Sequence, residues 1–187
     1  MAVRDIVTYP DPRLREDTFE VKQITDDIRE LVTDLRDTMY SLNAAGIAAI
    51  QIGRLERIFL IDGKVGGGDD DSPPLVFINP QVVDTGKGMI VAEEGCLSFP
   101  DVFVDVRRPR WAKLRAQNID GETFELEGEE LLGRALQHEY DHLTGRLMID
   151  LVGMIKKNVI KKKMKRWHAE HDAAKSAHVT PSAAELI

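Results

Sequence analysis

The chain has one cysteine, Cys96, among 187 residues. A lone thiol excludes an internal disulfide framework and fits a reducing cytoplasm. No run of about 18 apolar residues occurs, so no segment reads as a membrane span. Met1 to Asp5 lead into no apolar signal core, and no secretory signal is expected. A net charge of −7 argues against nucleic acid as the main ligand, and no specific DNA partner is expected. The stretch Gly66-Gly67-Gly68-Asp69-Asp70-Asp71-Ser72-Pro73-Pro74 lacks the Lys-Ser/Thr ending of a phosphate loop and reads as a flexible acidic surface insertion. No internal repeat and no second domain are visible. Residues 1–187 are therefore expected to form a single domain, long enough to bury a real core.

Periodicity supplies the elements. From Asp26 to about Leu42 the apolar positions Ile28, Leu31, Val32, Leu35, Met39 and Leu42 follow helical spacing, with Thr25 placed to cap it. Arg57–Asp62 and Leu75–Asn79 read as short buried strands. Gln81–Asp84 and Met89–Ala92 read as a hairpin around Thr85-Gly86-Lys87-Gly88. Val102–Arg107, Trp111–Asn118 and Thr123–Leu126 read as further strands, the last two joined by the Asp120-Gly121 turn. The expected fold class is α+β: short mixed or antiparallel strands around one central helix, with N-terminal and C-terminal helices.

That central helix carries Gln137-His138-Glu139-Tyr140-Asp141-His142. Its His-Glu-x-x-His spacing sets two imidazoles on one helix face, one turn apart. Such a pair can bind one metal ion, with Glu139 at the rim to accept a proton from an activated water. The other reading is two packed histidines. Glu129 and Glu130 precede it, suiting the helix dipole, and Thr144-Gly145 supplies a stop.

Three other stretches stand out. Asn43 to Gly53 is rich in small residues with one side-chain amide, Gln51; it is either a tight connection or a wall that a ligand approaches closely. Glu93-Glu94-Gly95-Cys96-Leu97-Ser98 places the one thiol as either a small buried hydrophobe or a ligand. Lys156 to Arg166 holds seven Lys/Arg and no acid, on a basic helix expected over about 153–175. That helix is either a solvated face or an attractor of RNA phosphates. Residues 176–187 are expected to fray.

Taken together, Gly46-Ile47-Ala48-Ala49-Ile50-Gln51, Glu94-Gly95-Cys96-Leu97-Ser98 and Gln137 to His142 resemble the three motifs of peptide deformylases, in the family's order. The resemblance runs from Pro10-Asp11-Pro12-Arg13-Leu14 through Leu147-Met148-Ile149-Asp150. It implies that Cys96, His138 and His142 hold one divalent metal, Fe(II) in the cell, with a water in the fourth position. A thiolate with two imidazoles suits Fe(II), Zn(II), Ni(II) or Co(II). It further implies removal of the formyl group from N-formylmethionyl nascent peptides in the cytoplasm, releasing formate. Glu139 would be the general base, Gln51 and the Leu97 N–H would meet the developing oxyanion, and the Gly46 backbone would pair with the peptide. Two features separate the chain from metalloproteases. Met148 stands where an extended motif needs a third histidine, and the region about twenty residues past His142 is Lys/Arg-rich and offers no glutamate ligand.

The departures fall around the substrate. Ala44 and Ala45 stand where the family usually carries Gly and a larger apolar residue. Arg134 stands at a normally apolar position near the methionine pocket, and Phe103 where many bacterial members carry Arg. They point to a pocket altered at its rim, with Arg134 favouring a polar or acidic neighbour of the methionine. The resemblance also implies that the basic helix docks on the ribosome. Two alternatives remain: an amidase for another small N-acyl group, and a ribosome-associated metal-binding protein with a degraded pocket. A monomer is expected.

Overall fold

The computed structural model describes the backbone of residues 3–177 and the side chains of residues 3–171. The chain enters through an extended segment and a short 3₁₀ turn, Pro12–Arg15, then forms helix α1, Asp26–Ser41. Strands β1 (Gly46–Ala48), β2 (Ile58–Ile61) and β3 (Leu75–Thr85) follow, then β4 (Met89–Cys96), β5 (Phe99–Pro109), β6 (Trp111–Gln117) and β7 (Thr123–Glu129). Helix α2, Glu130–His142, and helix α3, Met154–Ala177, complete it. Every strand pairing is antiparallel, in a five-stranded sheet ordered β1-β2-β3-β6-β7 and a separate β4-β5 hairpin. The α+β expectation holds.

The period-two rule shows how the layers meet. In β2, Ile58 and Leu60 face α1 and pack with Leu31, Leu35 and Met39. Phe59 and Ile61 face the other way, with Phe77, Ala135 and Leu136. All four β2 side chains are fully buried, and each contributes about 1.5–3 kcal/mol of apolar burial. Helix α2 shares this core with the sheet through Ala135, Leu136 and Leu143. Its histidine face meets the β4-β5 hairpin. A third core joins Phe99, Val102 and Val106 of β5 to Ile160 and Met164 of α3.

Three sequence expectations change. Gln81–Asp84 forms no hairpin with Met89–Ala92; it continues β3 and pairs with β6, whereas β4 pairs only with β5. The Thr85-Gly86-Lys87-Gly88 segment therefore crosses between sheets, with the Gly86 N–H donating to the Trp111 carbonyl (2.9 Å). Thr25 occupies the N-cap of α1, yet its side chain makes no capping hydrogen bond. Ile160 and Met164 seat helix α3 on β5. It runs to Ala177, so it includes the first two residues of the expected frayed tail; 178–187 lie outside the described residues. Among the described residues no helix is long and apolar enough to cross a membrane.

Candidate metal centre

Helix α2 starts directly where β7 ends, and Gly133 permits that reversal. A Cβ there would lie 2.3 Å from the Gly128 carbonyl oxygen, so only glycine lets the first turn fold back on the strand. One turn later His138, Glu139 and His142 project from the buried face of α2, with exposures of 8, 5 and 1%. Cys96 ends β4, just past a register break between Gly95 and Cys96. The break brings its thiol to the two imidazoles.

The Cys96 Sγ and one nitrogen from each of His138 and His142 lie within 4.8 Å of one another. The Sγ to His142 Nε2 separation is 3.3 Å. Sulfur and nitrogen held tetrahedrally at about 2.3 and 2.0 Å from one ion would be roughly 3.5 Å apart. The donors therefore fit a divalent metal, and the mixed thiolate–imidazole set suits a late first-row ion. His138 Nδ1 lies 2.9 Å from Glu94 Oε2. With Nδ1–H donating to that carboxylate, Nε2 is free to ligate.

Glu94 is the hub beneath the site. It accepts from Arg108 Nε (2.6 Å) and Nη2 (3.1 Å), from Arg134 Nη1 (2.6 Å) and from His138. Arg108 Nη1 donates to Asp141 Oδ2 at 2.7 Å. Gln137 Nε2 donates to the carbonyls of Gly133 and Pro109. Burial works to raise the Glu94 carboxyl, but its hydrogen bonds from His138 and Arg108 hold it down at about 2. Burial pushes Glu139 up to about 7, against the pull of His138 and Arg108. Burial depresses His142 well below the imidazole range. Burial would depress His138 as well, yet charge and hydrogen bonding from Cys96, with Glu94 behind, raise it. These directions belong to the metal-free site; a dication would lower Glu139 and compete with protons on the ligands.

The remaining residues converge from other elements. Gln51 is buried in a 3₁₀ turn after β1; its Oε1 accepts from the Ala48 N–H at 2.9 Å. Its Nε2 lies 3.2 Å from Ser98 Oγ and 3.5 Å from Cys96 Sγ. Gly46 lies in β1, an edge strand of the sheet, and a Cβ on it would sit 2.8 Å from Glu139 Oε1. The small-residue stretch is thus the place where backbone approaches the acid. Leu97 lies in the β4-β5 turn, and with Ala45, Gly46, Gln51 and Glu139 it lines one cavity of about 790 Å³.

Arg134 also lines this cavity, but its charge is engaged. It is buried, bonded to Glu94 and to the Val106 carbonyl (3.1 Å), and its Nη2 has no partner. Phe103 is 63% exposed, with its ring over Gly95. Sequence reasoning gave no role to Glu94 or Arg108. The available signal was strand alternation. Glu94 and Cys96 are i and i+2 on β4, and Arg108 follows Val102 and Val106 in the inward register of β5.

Comparison with known proteins agrees. The family model for polypeptide deformylase matches residues 3–158. A peptide deformylase of Bartonella tribocorum is 43% identical over 89% of this chain and 93% of its own. One of Clostridium botulinum is 49% identical over 80% and 97%. The crystal structure of a peptide deformylase from Legionella pneumophila superposes with a TM-score of 0.85 at 35% identity, covering 91% of this chain and 98% of that one. That from Ehrlichia chaffeensis in complex with actinonin gives 0.82 at 33%, covering 89% and 98%. With its three motifs gathered around one cavity and this likeness along most of its length, the chain belongs to the polypeptide deformylase family.

Proposed function

We propose that this chain is a metal-dependent hydrolase that removes the formyl group from N-formylmethionyl nascent peptides, releasing formate. The observation that carries the reading is Glu139, buried beside a Cys-His-His donor set and directly behind Gly46 of an open strand edge. We assign Cys96, His138 and His142 as the metal ligands. When bound, the metal supplies Lewis acidity, lowering the pKa of a water and polarising the formyl carbonyl.

The chain's own groups supply the remainder. The Gly46 backbone hydrogen-bonds the extended peptide as an added strand on the β1 edge, fixing the formyl group before Glu139. Glu139 accepts a proton from the attacking water and returns it to the leaving amine nitrogen. Gln51 Nε2, beside Cys96, and the Leu97 N–H donate to the formyl oxygen as charge develops there. Removing one such donor typically costs roughly 2.7–4 kcal/mol of barrier. Glu94 holds His138 in its ligating tautomer, and Arg108 with Asp141 holds Glu94. Ala45 and Arg134 border the side-chain pocket. Since Arg134 already pairs with Glu94, its effect on an acidic second residue is modest. Equal rates for formyl peptides with acidic and neutral second residues would remove that role.

Residues 1–187 act as one catalytic domain in the cytoplasm, with Fe(II) as the cellular metal; Zn(II), Ni(II) and Co(II) fit the same donors. The exposed Lys161, Lys162, Lys163 and Lys165 of α3 support docking on ribosomal phosphates. Ribosome co-sedimentation insensitive both to salt and to deletion from Lys156 onward would rule that out. The enzymatic reading is tested by offering formyl-Met-Ala-Ser and acetyl-Met-Ala-Ser to the Fe(II)-loaded chain under anaerobic conditions. Release of formate alone is expected. Acetate at a comparable rate would point to a broader amidase, and no release with any metal to a degraded pocket.

A further inference from the structure

The cavity of the metal centre has a wall that the three motifs do not supply. Trp167, His168 and His171 of α3 line the same space as Gly46, Cys96 and Glu139. The family match ends at residue 158, so this wall lies beyond it.

The helix is held firmly enough to serve as a wall. Ile160 and Met164 are 1% exposed in the core with Phe99 and Val102, and Trp167 packs against the same cluster. His168 Nε2 lies 2.8 Å from the Tyr9 carbonyl oxygen. Tyr9 stacks on Phe99 with ring centroids 5.0 Å apart, and its N–H donates to the Ser98 carbonyl at 2.9 Å. Ser98 Oγ accepts from Gln51 Nε2. The helix is therefore tied, contact by contact, to the turn that carries Cys96.

The wall is apolar. Trp167 is half-buried and stacks on His171 with centroids 3.8 Å apart. Around the same cavity stand Leu42, Phe103 and Leu131, which are 44, 63 and 59% exposed. Large apolar side chains left open around one cavity mark a binding surface. A peptide whose formyl end sits at Glu139 advances about 3.3 Å per extended residue, so its later residues extend along the cavity that Trp167 also lines.

Resting on the deformylase reading above, we infer that α3 forms part of the peptide-binding cavity and that Trp167 contacts an apolar or aromatic side chain downstream of the formylmethionine. Trp167 is thus a specificity-determining residue supplied by the C-terminal helix.

The test uses the metal-loaded full chain with formyl-Met-Ala amide and formyl-Met-Ala-Phe-Ser. Trp167→Ala is expected to lower kcat/KM for the longer peptide about tenfold more than for the shorter, through KM. Equal proportional losses on both, or none, overturn the inference. A second measurement does not depend on that variant folding. The chain has two tryptophans, so Trp111→Phe leaves Trp167 as the sole indole. The product peptide Met-Ala-Phe-Ser, at concentrations that inhibit formate release, is expected to shift its emission to shorter wavelength. Unchanged emission overturns the inference. If the parent releases no formate from either substrate, the deformylase reading fails and this inference with it. If it releases formate while neither length dependence nor emission responds, only this inference fails.

Discussion

Gly46→Ala tests how closely the proposed peptide edge and the proposed general base, Glu139, are fitted. The added methyl would lie 2.8 Å from Glu139 Oε1, 2.9 Å from Glu139 Cγ and 3.0 Å from the Leu60 carbonyl oxygen. Ordinary contacts begin near 3.4 Å, so something must give by about half an ångström. The Leu60 carbonyl belongs to β2, whose strand pairs on both sides with its neighbours. The Glu139 Cγ lies near the root of its side chain on a buried helix. The carboxylate, not the strand, therefore moves. A misplacement approaching 1 Å at a reacting group costs on the order of 10²-fold in rate. Overpacking at such a site costs about 1–3 kcal/mol of stability, which for a chain of this length lowers Tm by roughly 3–10 °C. The proposed metal ligands Cys96, His138 and His142 are untouched. The assay is formate release at saturating formyl-Met-Ala-Ser, alongside metal content per chain. The expected result is stoichiometric metal with kcat down about 10²-fold. Full metal with kcat within twofold of the parent would refute the packing argument.

Glu94→Gln removes the carboxylate that collects Arg108, Arg134 and His138. Losing the partner of a buried charge costs about 3–5 kcal/mol, and loss of a ligand's supporting carboxylate lowers metal affinity about 10–100-fold. Competition against a chelator should show that drop; unchanged affinity would contradict the hub role. Asp141→Asn should be milder, about 1–3 kcal/mol from the Arg108 Nη1 bond alone, read by denaturant unfolding. Asp150 pairs with Arg15 at 2.8 Å and fastens the N-terminal segment beside the end of α2. Burial, the largest single influence, raises its carboxyl, but the hydrogen bonds from Arg15 and the Leu147 N–H, with the charges of Arg15 and Lys157, together hold it below the ordinary aspartate range. Because the folded value is the lower one, the pair's stabilisation is present above the unfolded aspartate value and lost as pH falls through the folded one. Asp150→Asn should therefore cost up to about 1 kcal/mol at neutral pH, and parent and variant should converge below that window. A gap that persists in acid would contradict this.

Local pattern carried far in this chain. Helical spacing located α1, and the His-Glu-x-x-His spacing located the buried face of α2 on which His138, Glu139 and His142 lie. Cys96 could be joined to the histidines only through the family resemblance, because β4 meets α2 across forty-odd residues of chain. Where reading failed, the cause was non-local. Nothing in Gln81–Asp84 states that its partner is β6 and not Met89–Ala92. Gln81-Val82-Val83-Asp84 and Met89-Ile90-Val91-Ala92 are both short segments around a glycine-containing turn, and neither encodes a partner locally; the choice is made by sheet packing. The pairing of Arg134 with Glu94, forty positions away on another element, likewise leaves no local signal, and its place beside the substrate stays a proposal. Trp167 reads as one aromatic in a basic helix until Ile160 and Met164 seat that helix on β5.

Glu139 is proposed to act as a base on a reaction organised by a separate ligand set. Glu139→Ala tests it with two readings on one sample: metal bound per chain and formate released from formyl-Met-Ala-Ser. Full Fe(II) occupancy is expected, since Cys96, His138 and His142 remain, with kcat reduced about 10²–10⁴-fold. Formate release at the parent's rate from a fully loaded variant would contradict it.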